Sequence, residues 1–200
     1  MTLLFILALA VLVIDARIWS SLLGYVLFTI VALSFAFPGT ANHATFGMFI
    51  CLAVVKVVVG PVAILWLQRR QHLASDLRPS FTLGVRVGIV VVALALAHGA
   101  AALPAFVGIV HADFVFFALA TSIAVVLAHR SLVANAIGLL ALGSTVSLAA
   151  ALFVPHLTLG AELADTFDAL LATLVGLSMA REIARENPDL DVRAMRELRG

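Results

Sequence analysis

The chain predicts an all-α, polytopic membrane bundle of about seven transmembrane helices, and three observations predict it. Its residues are 64% hydrophobic, against roughly 45–50% in a soluble domain, so lipid must be its main solvent. The apolar residues fall into seven separate stretches with a mean hydropathy of +1.18 for the whole chain. Lys and Arg occur in every second connection between those stretches, the charge bias that orients membrane helices.

The stretches are Leu3 to Ile14, Trp19 to Phe37, Phe46 to Leu67, Leu83 to Leu103, Phe106 to Ala128, Leu132 to Val154 and Leu163 to Ala180. About 20 residues at 1.5 Å each cross a hydrocarbon core of about 30 Å. Only the first stretch is clearly short. It has the length of a signal-peptide core, but no Lys or Arg precedes it and no small-residue cleavage pattern follows, so it reads as a short first helix. Arg17 follows the first stretch, Arg69, Arg70 and Arg78 the third, Arg130 the fifth, and Arg181, Arg185, Arg193, Arg196 and Arg199 the seventh. The other connections, Phe37 to Thr45, Leu103 to Ala105 and Pro155 to Ala161, contain no Lys or Arg. The N-terminus is therefore expected outside and the C-terminus in the cytoplasm, which requires an odd number of helices.

One unit is expected: a transmembrane bundle over 1–183 and a cytoplasmic tail over 184–200. Pro188 interrupts the helix running on from Arg181. Beyond it Leu190, Ala194 and Leu198 recur four apart, forming either a docking strip for a cytoplasmic partner or the apolar edge of a solvated tail. A net charge of +1 without a basic patch argues against nucleic acid. The single cysteine, Cys51, excludes an internal disulfide and a cysteine metal cluster. Six histidines without a close metal-binding pair point away from a metal site, and no nucleophile with a base, phosphate loop or paired catalytic carboxylates suggests an enzyme.

Function must then lie with polar residues at expensive depths. Lys56 is near the middle of the third helix, where a charge costs about 2.5–3.5 kcal/mol on the insertion scale. Its stem is too short to reach either interface. Gly60 and Pro61 follow closely, and Pro61 cannot donate to the carbonyl of Val57, so a helix break is expected beside the lysine. Lys56 is either an ion-path group or a structural residue fixing helix packing. Ser144 and Thr145 lie at about the same depth on the sixth helix and are the nearest neutral groups to solvate it. Glu162, Asp165 and Asp168 share one face of the seventh helix as it enters from outside. Asp168 is the better site candidate, because the first two suit an ordinary helix N-terminus. Arg86 has snorkelling as a sufficient account, and His98 reads as a packing residue. Gly24 and Gly138 occupy matching places in a faint echo between helices two and three and helices six and seven.

The segment Arg130 to Thr145, R-S-L-V-A-N-A-I-G-L-L-A-L-G-S-T, the run T-F-D-A-L-L-A-T-L-V and the ending L-D-V-R-A-M-R-E-L-R-G resemble component E of the hydrogenase four and formate hydrogenlyase membrane complex. An Arg-led second helix and K-V-V-V-G-P in the third extend the resemblance along the chain. The second half is similar to the K component of complex I and the C component of Mrp-type antiporters. The resemblance implies a multi-pass subunit of the bacterial inner membrane that connects ion-translocating, antiporter-like subunits and lines part of a proton path. It also implies that this chain binds no cofactor, with nickel–iron and iron–sulfur centres confined to a cytoplasmic redox module. The chain departs from the family where a glutamate tends to stand in the sixth helix: it reads Leu142-Gly143-Ser144-Thr145, with no acid between Asp113 and Glu162. A path through that glutamate is not carried over. An autonomous small ion transporter or channel, an Mrp-type antiporter subunit and a passive assembly or scaffold subunit are the alternative readings.

Overall fold

The structure, a computed structural model, describes residues 2–36, 43–71, 79–129 and 131–153. The seventh apolar stretch, Glu162, Asp165 and Asp168, and the tail with Leu190, Ala194 and Leu198 lie outside the described residues. The described chain is all-α, with six helical rods, and an isolated backbone bridge joins Pro79 to His129. The rods are α1 (Thr2–Ile14), α2 (Ile18–Ala36), α3 (His43–Val54, Val55–Val59 and Gly60–Gln71, end to end), α4 (Leu83–Ala101), α5 (Ala112–Ala128) and α6 (Leu132–Phe153).

Among the described residues four segments are long and apolar enough to cross a membrane: Ile18–Phe35, Phe49–Trp66, Leu83–Ala101 and Val133–Phe153. Leu3–Ile14 and Ala112–Ala128 are shorter apolar helices. The short α1 is nevertheless central, packing on α2, α4 and α5 and burying Phe5, Leu9 and Leu12 completely. Side chains of this size contribute roughly 1.5–3 kcal/mol each when taken out of water, and in lipid their gain comes from close packing instead. The core comprises α1, α2, α5 and α6; α4 leans on α1 and α5, while α3 lies against α2 and α6.

Small residues permit the closest crossings. A Cβ on Gly24 would lie 2.8 Å from the carbonyl oxygen of Ala8, and one on Gly138 would lie 2.6 Å from a methyl of Val126. Each glycine thus lets the second helix of an antiparallel pair approach the first, the same task in two places.

The fifth helix begins later than the apolar run predicts. Residues 102–111 form successive tight turns, including Phe106 N–H to Leu103 O at 2.8 Å and Ile109 N–H to Phe106 O at 2.9 Å. Pro104 interrupts regular donation there. Phe106 packs instead on the rings of Phe116 and Phe153, at centroid distances of 4.9 and 5.8 Å. His111 takes the left-handed conformation, φ 67°, just before α5.

Candidate functional site

The proline of α3 shapes the site. An α-helix would direct the Gly60 N–H to the carbonyl of Lys56, but here it bonds Val55 O, five residues back. The next backbone position along, Pro61, has no N–H to offer. Val55–Val59 therefore forms a π-helical turn, and the Lys56 carbonyl loses its intrahelical donor. The hydroxyl of Tyr25 supplies one at 3.1 Å. The expected interruption at Gly60 and Pro61 thus takes the form of a widened turn through which the helix continues. Gly60 meets the Leu140 side chain, whose nearest methyl would be 3.4 Å from an added Cβ.

Lys56 itself is buried, with 5% of its surface exposed. Its Nζ donates to Ser147 Oγ on α6, and that hydroxyl donates to Gly143 O at 3.3 Å. Ser144 Oγ, one turn away, pairs with Thr29 Oγ1 of α2 at 3.1 Å. Tyr25 interacts with both of those hydroxyls. On the far side of α6, Thr145 Oγ1 faces Ser122 Oγ of α5 at 3.3 Å and donates to Ala141 O at 2.9 Å. The structure thus assembles Lys56, Tyr25, Thr29, Ser144 and Ser147 at the junction of α2, α3 and α6, while Thr145 turns toward α5.

Sequence reasoning missed Ser147, Tyr25 and Thr29. Their signal is spacing: Ser21, Tyr25 and Thr29 stand at i, i+4 and i+8, on one stripe of α2. All three are buried. Ser21 Oγ, one turn from Tyr25 toward the arginine-bearing end, has no hydrogen-bond partner among the described residues.

At that same end a second polar group ties helices together. Arg86 is buried rather than snorkelled, correcting the sequence expectation: Nη1 donates to Ile14 O at the end of α1. The α1 terminus holds a carbonyl without a helical donor, and this gives the guanidinium a reason to turn inward. His129 fills the neighbouring place. Its Nδ1 lies 3.1 Å from Val125 O and its Nε2 3.2 Å from Asp15 O. Burial holds its pKa below the ordinary imidazole value; the two carbonyls oppose this, and Arg86 adds to the lowering. Asp15 accepts from Arg17 N–H at 2.9 Å. Burial raises its pKa, but the hydrogen bonds to Arg17, Ser20 and Ala16 outweigh it, leaving the carboxyl below its ordinary range.

His98 and Asp113 meet elsewhere, lining a cavity of about 440 Å³ between α1, α4 and α5. Cys51 is exposed. Among the described residues no three His, Cys, Asp or Glu side chains converge as a metal ion would require. Comparisons with protein-family models, curated proteins and solved structures found no match to this chain.

Proposed function

We propose that the chain is a non-redox membrane subunit of a bacterial ion-translocating assembly related to nickel–iron hydrogenase or formate hydrogenlyase, and that Lys56 holds and passes a proton within it. In this reading seven helices span the cytoplasmic membrane, with the N-terminus outside and the C-terminus inside. Antiporter-like subunits flank the bundle, and a cytoplasmic redox module carries the metal centres.

The observation that carries the proposal is a buried lysine in a π turn, contacting a hydroxyl of one neighbouring helix while its carbonyl is held by a hydroxyl of another. An ammonium can release and regain its proton, whereas a guanidinium cannot do so readily. A hydroxyl both donates and accepts, so Ser147 can accept from the ammonium or donate to the neutral amine, with the Ser144–Thr29 pair one turn away. The Ser21–Tyr25–Thr29 stripe extends this polar character toward the arginine-bearing end, the cytoplasmic side by the charge rule. Since the sixth helix has no acid, the proposed route runs through a lysine and hydroxyls rather than a carboxylate on that helix.

Lys56→Met keeps length and apolar bulk while removing the charge. The assembled complex should retain electron transfer in detergent yet lose part of its ion pumping in sealed vesicles, and Lys56→Arg should not restore it fully. Wild-type pumping by an assembled Lys56→Met complex would eliminate the ion-path role. It would leave Lys56 as a packing residue joining α3 to α6, whose replacement by an apolar group is often tolerated.

A further inference from the structure

The cavity between α1, α4 and α5 has a polarity gradient that the ion path does not use. His98 lies in the last turn of α4 and Asp113 in the first turn of α5, so both stand at the same end of the bundle. The remaining lining is Ile6, Val91, Leu94, Ala95, Ala97, Phe114 and Phe117. Leu94 and Val91 precede His98 by four and seven residues, and Phe117 follows Asp113 by four. At 1.5 Å per residue, the lining is polar at one end and apolar for about 10 Å below it. The outer wall is open sideways, with Val91 60% and Leu94 41% exposed.

We propose that this cavity binds a phospholipid with a primary ammonium headgroup. Its volume of about 440 Å³ falls within the usual range for small-molecule sites, about 300–1,000 Å³. The gradient along the bundle axis matches an amphiphile whose headgroup lies at the interface and whose acyl chain passes along Leu94, Val91 and Phe117. Charge selects the headgroup. The segment that joins the two helices, residues 102–112, contains no Lys or Arg, so an anionic headgroup finds no cation there and meets the Asp113 carboxylate instead. A primary ammonium presents three N–H donors to that carboxylate, while the His98 imidazole can donate to the phosphate. A quaternary ammonium has no N–H to offer. The assignment requires only that the bundle lies in a membrane and is independent of the proton role of Lys56.

The test uses the full chain purified in mild detergent and given equal amounts of phosphatidylethanolamine, phosphatidylcholine and phosphatidylglycerol with identical acyl chains. Native mass spectrometry should show phosphatidylethanolamine retained about fivefold over phosphatidylcholine, the scale of one partly exposed charge contact. Phosphatidylglycerol should be retained least. Asp113→Asn should bring phosphatidylethanolamine down to the phosphatidylcholine level, and Asp113→Glu should keep the preference. Leu94→Trp, which fills the apolar wall, should lower retention of all three. Equal retention of the three lipids by the unaltered chain, a preference for phosphatidylglycerol, or an undiminished preference in Asp113→Asn would overturn the proposal.

Discussion

Tyr25 shows how one side chain can answer a defect made by another. Pro61 and the widened turn take away the helical donor for the Lys56 carbonyl, and the phenol on α2 replaces it at 3.1 Å. Tyr25→Phe removes that donor without changing ring volume. It should destabilise the folded chain by about 1–3 kcal/mol, the cost of an unsatisfied buried acceptor, measured as a lower denaturant midpoint in detergent. His129 gives a pH-dependent prediction. Its folded pKa is lowered chiefly by burial, so the unfolded chain binds the proton more readily. Its contribution is present above the ordinary imidazole value of 6.5 and lost as pH falls through the folded value. Stability should therefore fall between pH 7 and pH 5, and His129→Asn should flatten that slope. Asp15 does not compete in this window, since its contribution is lost only below its ordinary value of 3.8.

At the scale of an element, helix crossings discriminate between glycines that look alike in the sequence. Gly24→Ala places a methyl against the backbone oxygen of Ala8 at 2.8 Å, where no rotamer can yield. It should cost about 1–3 kcal/mol through the displacement of α1 from α2. Gly88→Ala on α4 meets nothing within 4 Å and should leave stability unchanged or slightly raised, as alanine is the better helix former. Chemical unfolding of the two variants under identical conditions compares them directly. The six described helices were legible from hydropathy to within a few residues, apart from the start of α5. Hydropathy counted Phe106 as helical because it is apolar, whereas its ring is held by Phe116 and Phe153 from within a turn. Likewise, Gly60-Pro61 announced an interruption, but only the hydrogen-bond pattern distinguishes a break from a widened turn.

For the whole molecule, the alternation of Arg-bearing and Arg-free connections yields a topology that labelling can test. Single cysteines at Thr40, Ser75 and Arg196 in a Cys51→Ala background should react with a membrane-impermeant reagent from outside only at Thr40. Labelling of Ser75 from outside would invert the proposed orientation. Cys51 must be replaced first because it is exposed. In the proposed assembly, deleting residues 189–200 should leave membrane insertion intact and lower the recovery of partner subunits. Unchanged stoichiometry would show that the Leu190, Ala194 and Leu198 edge docks nothing.

Composition and hydropathy by themselves determined that the described residues are helical, that four of their helices are long and apolar enough to cross a membrane, and that Lys56 stands out among the charges. These properties depend on transfer energies and on the local 1.5 Å rise, both of which are written in the order of residues. The companions of Lys56 were decided only by tertiary structure. Ser147 is 91 positions away and Tyr25 is 31, and although Tyr25 belongs to a polar stripe of α2, nothing local says which helix that stripe meets. The inward turn of Arg86 has the same origin: an α1 carbonyl 72 positions distant receives it. Hydropathy prices each residue against the solvent, whereas hydrogen-bond satisfaction depends on which helices cross and at what height.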